Sequence, residues 1–120
     1  RSHLTALVQY QTESGIWHQI LNDPSTYQET SCTAMYTLSM ARGINNGWLD
    51  ESFRDHALSG WNAVNRKISE DGTVSGICCG TGIGTSLAFY NGRETFDHDP
   101  RGLGAVLTAG TEVYLMLKNQ

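Results

Sequence analysis

A chain of 120 residues, 39% hydrophobic and 17% charged, is long enough for one globular domain with its own core and does not fit a disordered segment. Its net charge is −4 and its eight Lys and Arg never cluster, which argues against a nucleic-acid partner. No apolar run approaches the ~20 residues of a membrane-spanning helix, and three cysteines, an odd number, exclude a complete disulfide framework.

Leu4, Leu7 and Val8 recur at helical spacing and predict a helix over 2–11, ended by Ser14-Gly15. The chain opens RSHLTALVQY, which reads as a helix already under way. Residues 16–21, IWHQIL, alternate roughly every second position and predict a short extended piece before the turn at Asn22-Asp23-Pro24-Ser25. A second helix is expected over 29–42, with Thr30 or Ser31 as its cap and Glu29 adding favourable charge. Its apolar face would be Cys32, Met35 and Leu38 with Ala34 and Ala41, and Gly43 would follow its end.

Asn45-Asn46-Gly47 connects to a third helix capped by Asp50. Phe53, Ala57, Trp61, Val64 and Ile68 give that helix its stripe, Trp48 packs beside Trp61, and Asp71-Gly72 turns the chain. So short a connection makes the second and third helices antiparallel neighbours. Leu87–Tyr90 reads as extended and Asn91-Gly92 as a turn. Asp99 caps a fourth helix with Pro100 at its first position, and Leu103, Val106, Leu107, Val113, Tyr114 and Leu117 form its expected buried face. The fold class that follows is mainly α, about four helices in antiparallel pairs with short extended loop segments and no strand pattern strong enough for a real sheet.

Between the third and fourth helices lies DGTVSGICCGTGIG, residues 71–84, in which five of fourteen residues are Gly. Such a segment can approach a ligand or another backbone closely. With Gly102 and Gly104 at the start of the last helix it is expected to form one surface. GTGIGT does not fit a dinucleotide fingerprint, because Thr85 stands at the last glycine position, nor a P-loop, because no Lys precedes a Ser or Thr. Asp97-His98-Asp99 combines two carboxylates and an imidazole, although Asp99 is needed as a cap. His98 and Arg101 flank the positive end of a helix, a natural place to meet a carboxylate. Trp17, beside His18 and Gln19, could offer a flat face to a sugar ring. His3 and His56 read as surface residues without partners, and the thiols as small, buried or half-buried groups. Neither a Ser/His/Asp set nor a carboxylate pair completes a catalytic centre.

The segments GIWHQILNDPSTYQETSCTAMYTLSMARGINNGWLD, DGTVSGICCGTGIG and RGLGAVLTAGTEV, in that order, resemble glycoside hydrolase family 105, the unsaturated rhamnogalacturonyl hydrolases. More distantly they resemble the unsaturated glucuronyl hydrolases of family 88. The likeness runs from about Leu4 to Leu117. It implies an (α/α)6 barrel, of which four helices would be about a third, so residues 1–120 are expected to be a single C-terminal portion of such a domain. Such enzymes hydrate the C4=C5 double bond of a terminal unsaturated uronic acid on pectin-derived oligosaccharides, and the hemiketal that forms releases the sugar. They need neither a metal nor an organic cofactor. The family's catalytic Asp and its Trp-x-Arg-x-x-x-Trp motif belong upstream of GIWHQ, so no catalytic residue is carried over to this chain. GICCGTG and DPRGLG match the side of the mouth and make Thr81, His98 and Arg101 expected contacts to an acidic oligosaccharide, with Trp17 as the aromatic candidate. Further expected partners are the remainder of the barrel, or a second copy through exposed helix faces. The competing expectation is a non-catalytic helical module, for carbohydrate binding or assembly, on the same scaffold.

Overall fold

The computed structural model describes residues 1–119. Helix α1, Ser2–Val8, carries Leu7 into the core. The chain then turns through Gly15 at φ +88°, where a Cβ would lie 2.2 Å from the Ser59 carbonyl oxygen. Strand β1, Trp17–His18, pairs antiparallel with β2, Gln28–Glu29, with Trp17 opposite Glu29. Helix α2, Thr30–Asn45, follows directly. A 3-10 turn at Glu51–Phe53, capped by the Asp50 carboxylate, leads into α3, Arg54–Asn65. Strand β3, Ile77–Cys78, pairs antiparallel with β4, Thr95–Phe96, and a short helix α4, Leu87–Asn91, fills the excursion between them. Helix α5, Pro100–Lys118, closes the order with Asp99 as its cap.

Helix α2 is the centre of the packing, with α3 and α5 against it. Trp17, Met40, Ala41, Phe53, Ala57, Val113 and Met116 fill one end of the core; Ala34, Val64, Val74, Ile77, Val106 and Ala109 fill the other. Trp61 touches both clusters. Contact is close because the facing residues are small. A Cβ on Gly60 would stand 2.3 Å from Thr37 Oγ1, and one on Gly110 would stand 2.7 Å from the Trp61 ring.

Several expectations change in the structure. Glu29, not Thr30 or Ser31, caps α2, because its longer side chain folds back onto the amides of Ser31 and Cys32. The buried face of α2 is Thr30, Thr33, Ala34, Thr37, Met40 and Ala41, while Met35 is exposed. The row that packs is the one whose small side chains let α3 and α5 approach. Gly43 lies inside α2, where a Cβ would meet Leu49 at 2.6 Å, and Asn46 ends the helix. Leu87–Tyr90 is helical because the Ser86 hydroxyl accepts from the Phe89 amide and caps it. Trp48 is 68% exposed rather than packed beside Trp61, which is itself half-buried. On α5, Leu107, Tyr114 and Leu117 are exposed, and the buried row is Gly102, Val106, Ala109, Val113 and Met116. His56 has a partner, with Nδ1 2.6 Å from Gln11 Oε1. The structure thus has five α-helices among the described residues where about four are expected, and its short extended segments pair into two ladders of two residues each.

Candidate functional site: the glycine-rich mouth

The turn that leads into the glycine-rich segment is built locally. Gly72 takes φ +85°, the Asp71 carboxylate accepts from the Thr73 amide at 3.0 Å, and Ile68 bridges Val74. Hydrogen bonds to Ser69 and then Thr73 hold the Asp71 carboxyl down at about 2. From Ser75 the chain is fastened to the start of α2: the Thr30 amide donates to Gly76 O at 3.0 Å and the Thr30 hydroxyl to Ser75 O at 2.7 Å. Buried Ile77 then fits against Gly102, where a Cβ would lie 2.8 Å from its side-chain carbons. The two glycine segments therefore form one surface, as their sequences predict, and Gly102 is the point of closest approach.

Beyond Cys78 the loop is exposed. Gly80, Thr81, Gly82 and Ile83 face solvent, Ile83 with 99% of its surface free. Thr81 Oγ1 donates to Cys79 O at 3.2 Å and lies 3.6 Å from the Cys78 sulfur. Two guanidinium groups reach Gly80 from different elements. Arg93 Nη2 donates to Gly80 O at 2.8 Å and to Cys79 Sγ at 3.2 Å, and its guanidinium carbon sits 5.3 Å over the Phe89 ring. Arg101 Nη1 stands 2.9 Å from where a Gly80 Cβ would be. Gly80 has open space only because it lacks a side chain.

Arg101 binds Asp99 in a fork, Nε to Oδ1 at 2.8 Å and Nη2 to Oδ2 at 2.7 Å, while its amide also donates to Oδ1 at 2.9 Å. The bond from the Arg101 side chain holds the Asp99 carboxyl below the usual carboxylate range and raises the guanidinium in turn. Asp99 is consequently committed to cap and ion pair, and Nη1 remains the donor turned to Gly80. Burial, and next the Cys78 side chain, push the Tyr27 phenol well above its ordinary range, so it stays protonated. Its oxygen is enclosed without a hydrogen-bond partner among the described residues, as is Arg93 Nε.

Of the expected site residues, Thr81 lies in this exposed loop next to Gly80, and Arg101 Nη1 approaches Gly80 from the start of α5. Trp17 is not part of this rim. It is 0% exposed, its indole N–H donates to Leu7 O at 2.8 Å, and its ring stands edge-on to Tyr36 at 5.3 Å, so no face is available to a sugar. His98 lies elsewhere, at φ +56° in an apolar groove of about 370 Å³ lined by Ile68, Val74, Leu103, Val106 and Leu107. Its amide donates to Val74 O at 2.6 Å. Sequence reasoning misses Gln19, Glu29 and Arg93 as builders of the rim. Gln19 Nε2 donates to Tyr90 O at 3.2 Å and lies 3.7 Å from Cys78 Sγ; Glu29 accepts from the Cys78 amide at 2.9 Å. The one signal that could have found Glu29 is its position: a carboxylate directly before the first helical residue can reach the amides of the first turn. Among the described residues no group of three His, Cys, Asp or Glu could hold a metal ion, and no helix is long and apolar enough to cross a membrane.

The chain is 31% identical to an unsaturated 3S-rhamnoglycuronyl hydrolase of Alteromonas sp. (strain LOR) over 98% of its own length and 28% of that protein's. It is 36% identical to an unsaturated rhamnogalacturonyl hydrolase of Bacillus subtilis (strain 168) over 69% of its length and 22% of the relative's. Among solved structures, a possible family-105 member from Salmonella enterica serovar Paratyphi A matches with a TM-score of 0.91 and 28% identity, over 98% of this chain and 30% of that one. The chain therefore spans between about a fifth and a third of the length of the proteins it matches. Its mainly α fold is that of a portion of an α/α barrel, in agreement with the resemblance read from the sequence. The model of "Glycosyl Hydrolase Family 88" matches residues 1–117, and the chain belongs to that family.

Proposed function

We propose that residues 1–120 are the C-terminal portion of an unsaturated glycuronyl hydrolase, and that the complete protein releases Δ4,5-unsaturated uronic acid from pectin-derived oligosaccharides. The reaction is hydration: water adds across C4=C5, the hydroxyl ending on C5 and the proton on C4. The hemiketal opens to a C5 ketone, and the hemiacetal left at C1 collapses to an aldehyde as the next sugar departs as an alcohol. A carboxyl that first gives and then takes a proton can serve both directions, and in this reading it lies in the part of the barrel outside these residues. The observation that carries the proposal is the extent of the family match, nearly the whole chain.

In this reading the mouth contributes binding. Arg101 presents Nη1 beside Gly80, a donor suited to a uronate carboxylate, and Thr81, whose hydroxyl proton goes to Cys79 O, presents an oxygen that can accept from a hydroxyl of the next sugar. Asp99 keeps the Arg101 fork in one orientation, so little side-chain freedom is lost on binding. The exposed row Leu107, Tyr114 and Leu117 on α5 takes the remainder of the barrel as its partner. Alone, the 120-residue chain uses the same row to self-associate, and Leu107→Glu should return it to a monomer by light scattering.

The decisive assay is turnover of an unsaturated galacturonyl-rhamnose disaccharide, followed as loss of the ultraviolet absorbance of its conjugated double bond. Activity in the complete protein with none in residues 1–120 is the expected result. Turnover by the 120-residue chain itself, or none by the complete protein, would overturn the proposal.

A further inference from the structure

The least exposed carboxylate beside the mouth belongs to Glu29, with only 3% of the residue's surface open. Both of its oxygens are occupied. Oε1 accepts from the Ser31 amide at 3.0 Å, the Ser31 hydroxyl at 2.9 Å and the Cys78 amide at 2.9 Å; Oε2 accepts from the Cys32 amide at 2.5 Å and the Ser31 hydroxyl at 3.0 Å. Four of these five contacts lie within its own helix turn and satisfy the start of α2. The fifth reaches β3, 49 residues away in sequence. A helix cap needs no such reach, and a smaller Asp, Ser or Asn does that job as well.

The contact falls at the point where the chain leaves the core for the loop. Immediately before it, Thr30 fastens Ser75 and Gly76. Gln19 Nε2 lies 3.7 Å from the Cys78 sulfur itself, and immediately after Cys78 come Cys79, Gly80 and Thr81, where Arg93 and Arg101 converge on Gly80. We propose that Glu29 is a positioning residue for the mouth, presetting Gly80 and Thr81 through the Cys78 amide. The inference rests on the proposed function only for its kinetic consequence. With both oxygens saturated and almost no access to solvent, Glu29 is not itself a proton donor or acceptor for substrate. Its buried charge is tolerated because every contact is a donor, and a charge-assisted bond to a backbone amide holds direction better than a neutral one.

Glu29→Asp separates the two roles. Aspartate keeps the charge and is a favourable cap, but is one methylene too short to hold the first turn and Cys78 together. Ser31→Ala is the control, since it removes the hydroxyl donor shared by the two Glu29 oxygens and leaves the Cys78 contact intact. In the complete protein, E29D should raise KM for the unsaturated disaccharide about tenfold, the loss expected of one charge-assisted bond, with kcat within about threefold of wild type. S31A should lower the melting temperature as much as E29D or more while leaving KM unchanged. By hydrogen exchange, E29D should speed the Cys78 amide about tenfold and leave the amides of residues 37–41 in α2 unaffected.

An unchanged KM in E29D, or an equal rise in S31A, would reduce Glu29 to a cap and overturn the proposal. Should the complete protein fail to hydrate the disaccharide at all, the functional reading falls separately. The exchange measurement then decides alone: faster exchange at Cys78 supports presetting, and unchanged exchange refutes it.

Discussion

Two glycines two residues apart on α5 should respond oppositely to the same substitution. A Cβ on Gly104 meets nothing within 4 Å among the described residues, whereas a Cβ on Gly102 would lie 2.8 Å from Cδ1, Cγ1 and Cγ2 of Ile77. Gly104→Ala therefore collects the helix-propensity gain, about 0.5–1 kcal/mol, with no steric cost. Gly102→Ala has the same gain, but overpacking a filled core costs about 1–3 kcal/mol. Ile77 is 0% exposed and sits in the ladder with Phe96, so it has nowhere to retreat. We expect a net loss of up to about 2.5 kcal/mol for G102A and a gap of about 1–3 kcal/mol between the variants, the overpacking cost itself. At about 4 °C per kcal/mol for a chain of this size, G104A should melt a few degrees above wild type and G102A about 4–12 °C below G104A. Thermal melts at one fixed protein concentration, to hold association constant, read this directly. A G102A variant that melts with G104A would mean that Ile77 does not pack against α5 as described.

The other close approach, Gly60 against Thr37, tests α2 against α3. Gly60→Ala should cost about 1–3 kcal/mol by overpacking, and Thr37→Ala, which removes the atom 2.3 Å from the new methyl, should restore part of it, a non-additivity that a double-mutant cycle in urea would show. Trp17→Phe removes the donor to Leu7 O and leaves a space, for a loss of about 2–4 kcal/mol by urea unfolding. The Asp71 carboxyl titrates at about 2 in the folded chain, below its unfolded value near 3.9. Its contribution is therefore fully present above about pH 4 and lost as the pH falls towards 2. Asp71→Asn should flatten that acid limb of the stability profile, and an unchanged limb would show that the turn does not hold the charge.

Features set by neighbours along the chain are legible in the sequence itself. Asp50 and Asp99 cap, Pro100 opens α5, and Asp71-Gly72 turns, because each needs only residues within one helical turn of itself. Helix faces are less legible, and α5 shows why. Gly102, Val106, Ala109, Val113 and Met116 form one row at alternating spacings of four and three; Leu103, Leu107, Gly110, Tyr114 and Leu117 form a second row at the same spacings. Sequence reasoning weights the larger side chains and so mixes the two rows. Packing against α2 selects the first, whose small members allow close contact, and leaves most of the second in solvent. Periodicity alone finds both rows; it does not say which one faces this neighbour.

The site divides along the same line. Thr81 and Arg101 are singled out by the family resemblance of their segments, and Arg101 also by its place at the start of a helix; the structure sets Arg101 Nη1 2.9 Å from where a Cβ on Gly80, the neighbour of Thr81, would lie. Trp17 misleads because an aromatic in a polar-looking segment, next to His18 and Gln19, carries no local sign that Leu7 and Tyr36 enclose it. The side chains that fix the loop escape sequence reasoning for a related reason. Glu29 acts 49 residues away, Gln19 59 and 71 residues away, and Arg93 across an excursion of 13. An exposed glycine-rich loop has little of its own to define its shape, since backbone freedom is what glycine supplies. Its geometry is instead imposed by long polar side chains from α2's cap, from Gln19 just after β1 and from the far side of α4. A change in the loop sequence should therefore alter what the mouth touches, while a change at Glu29 should alter where it is.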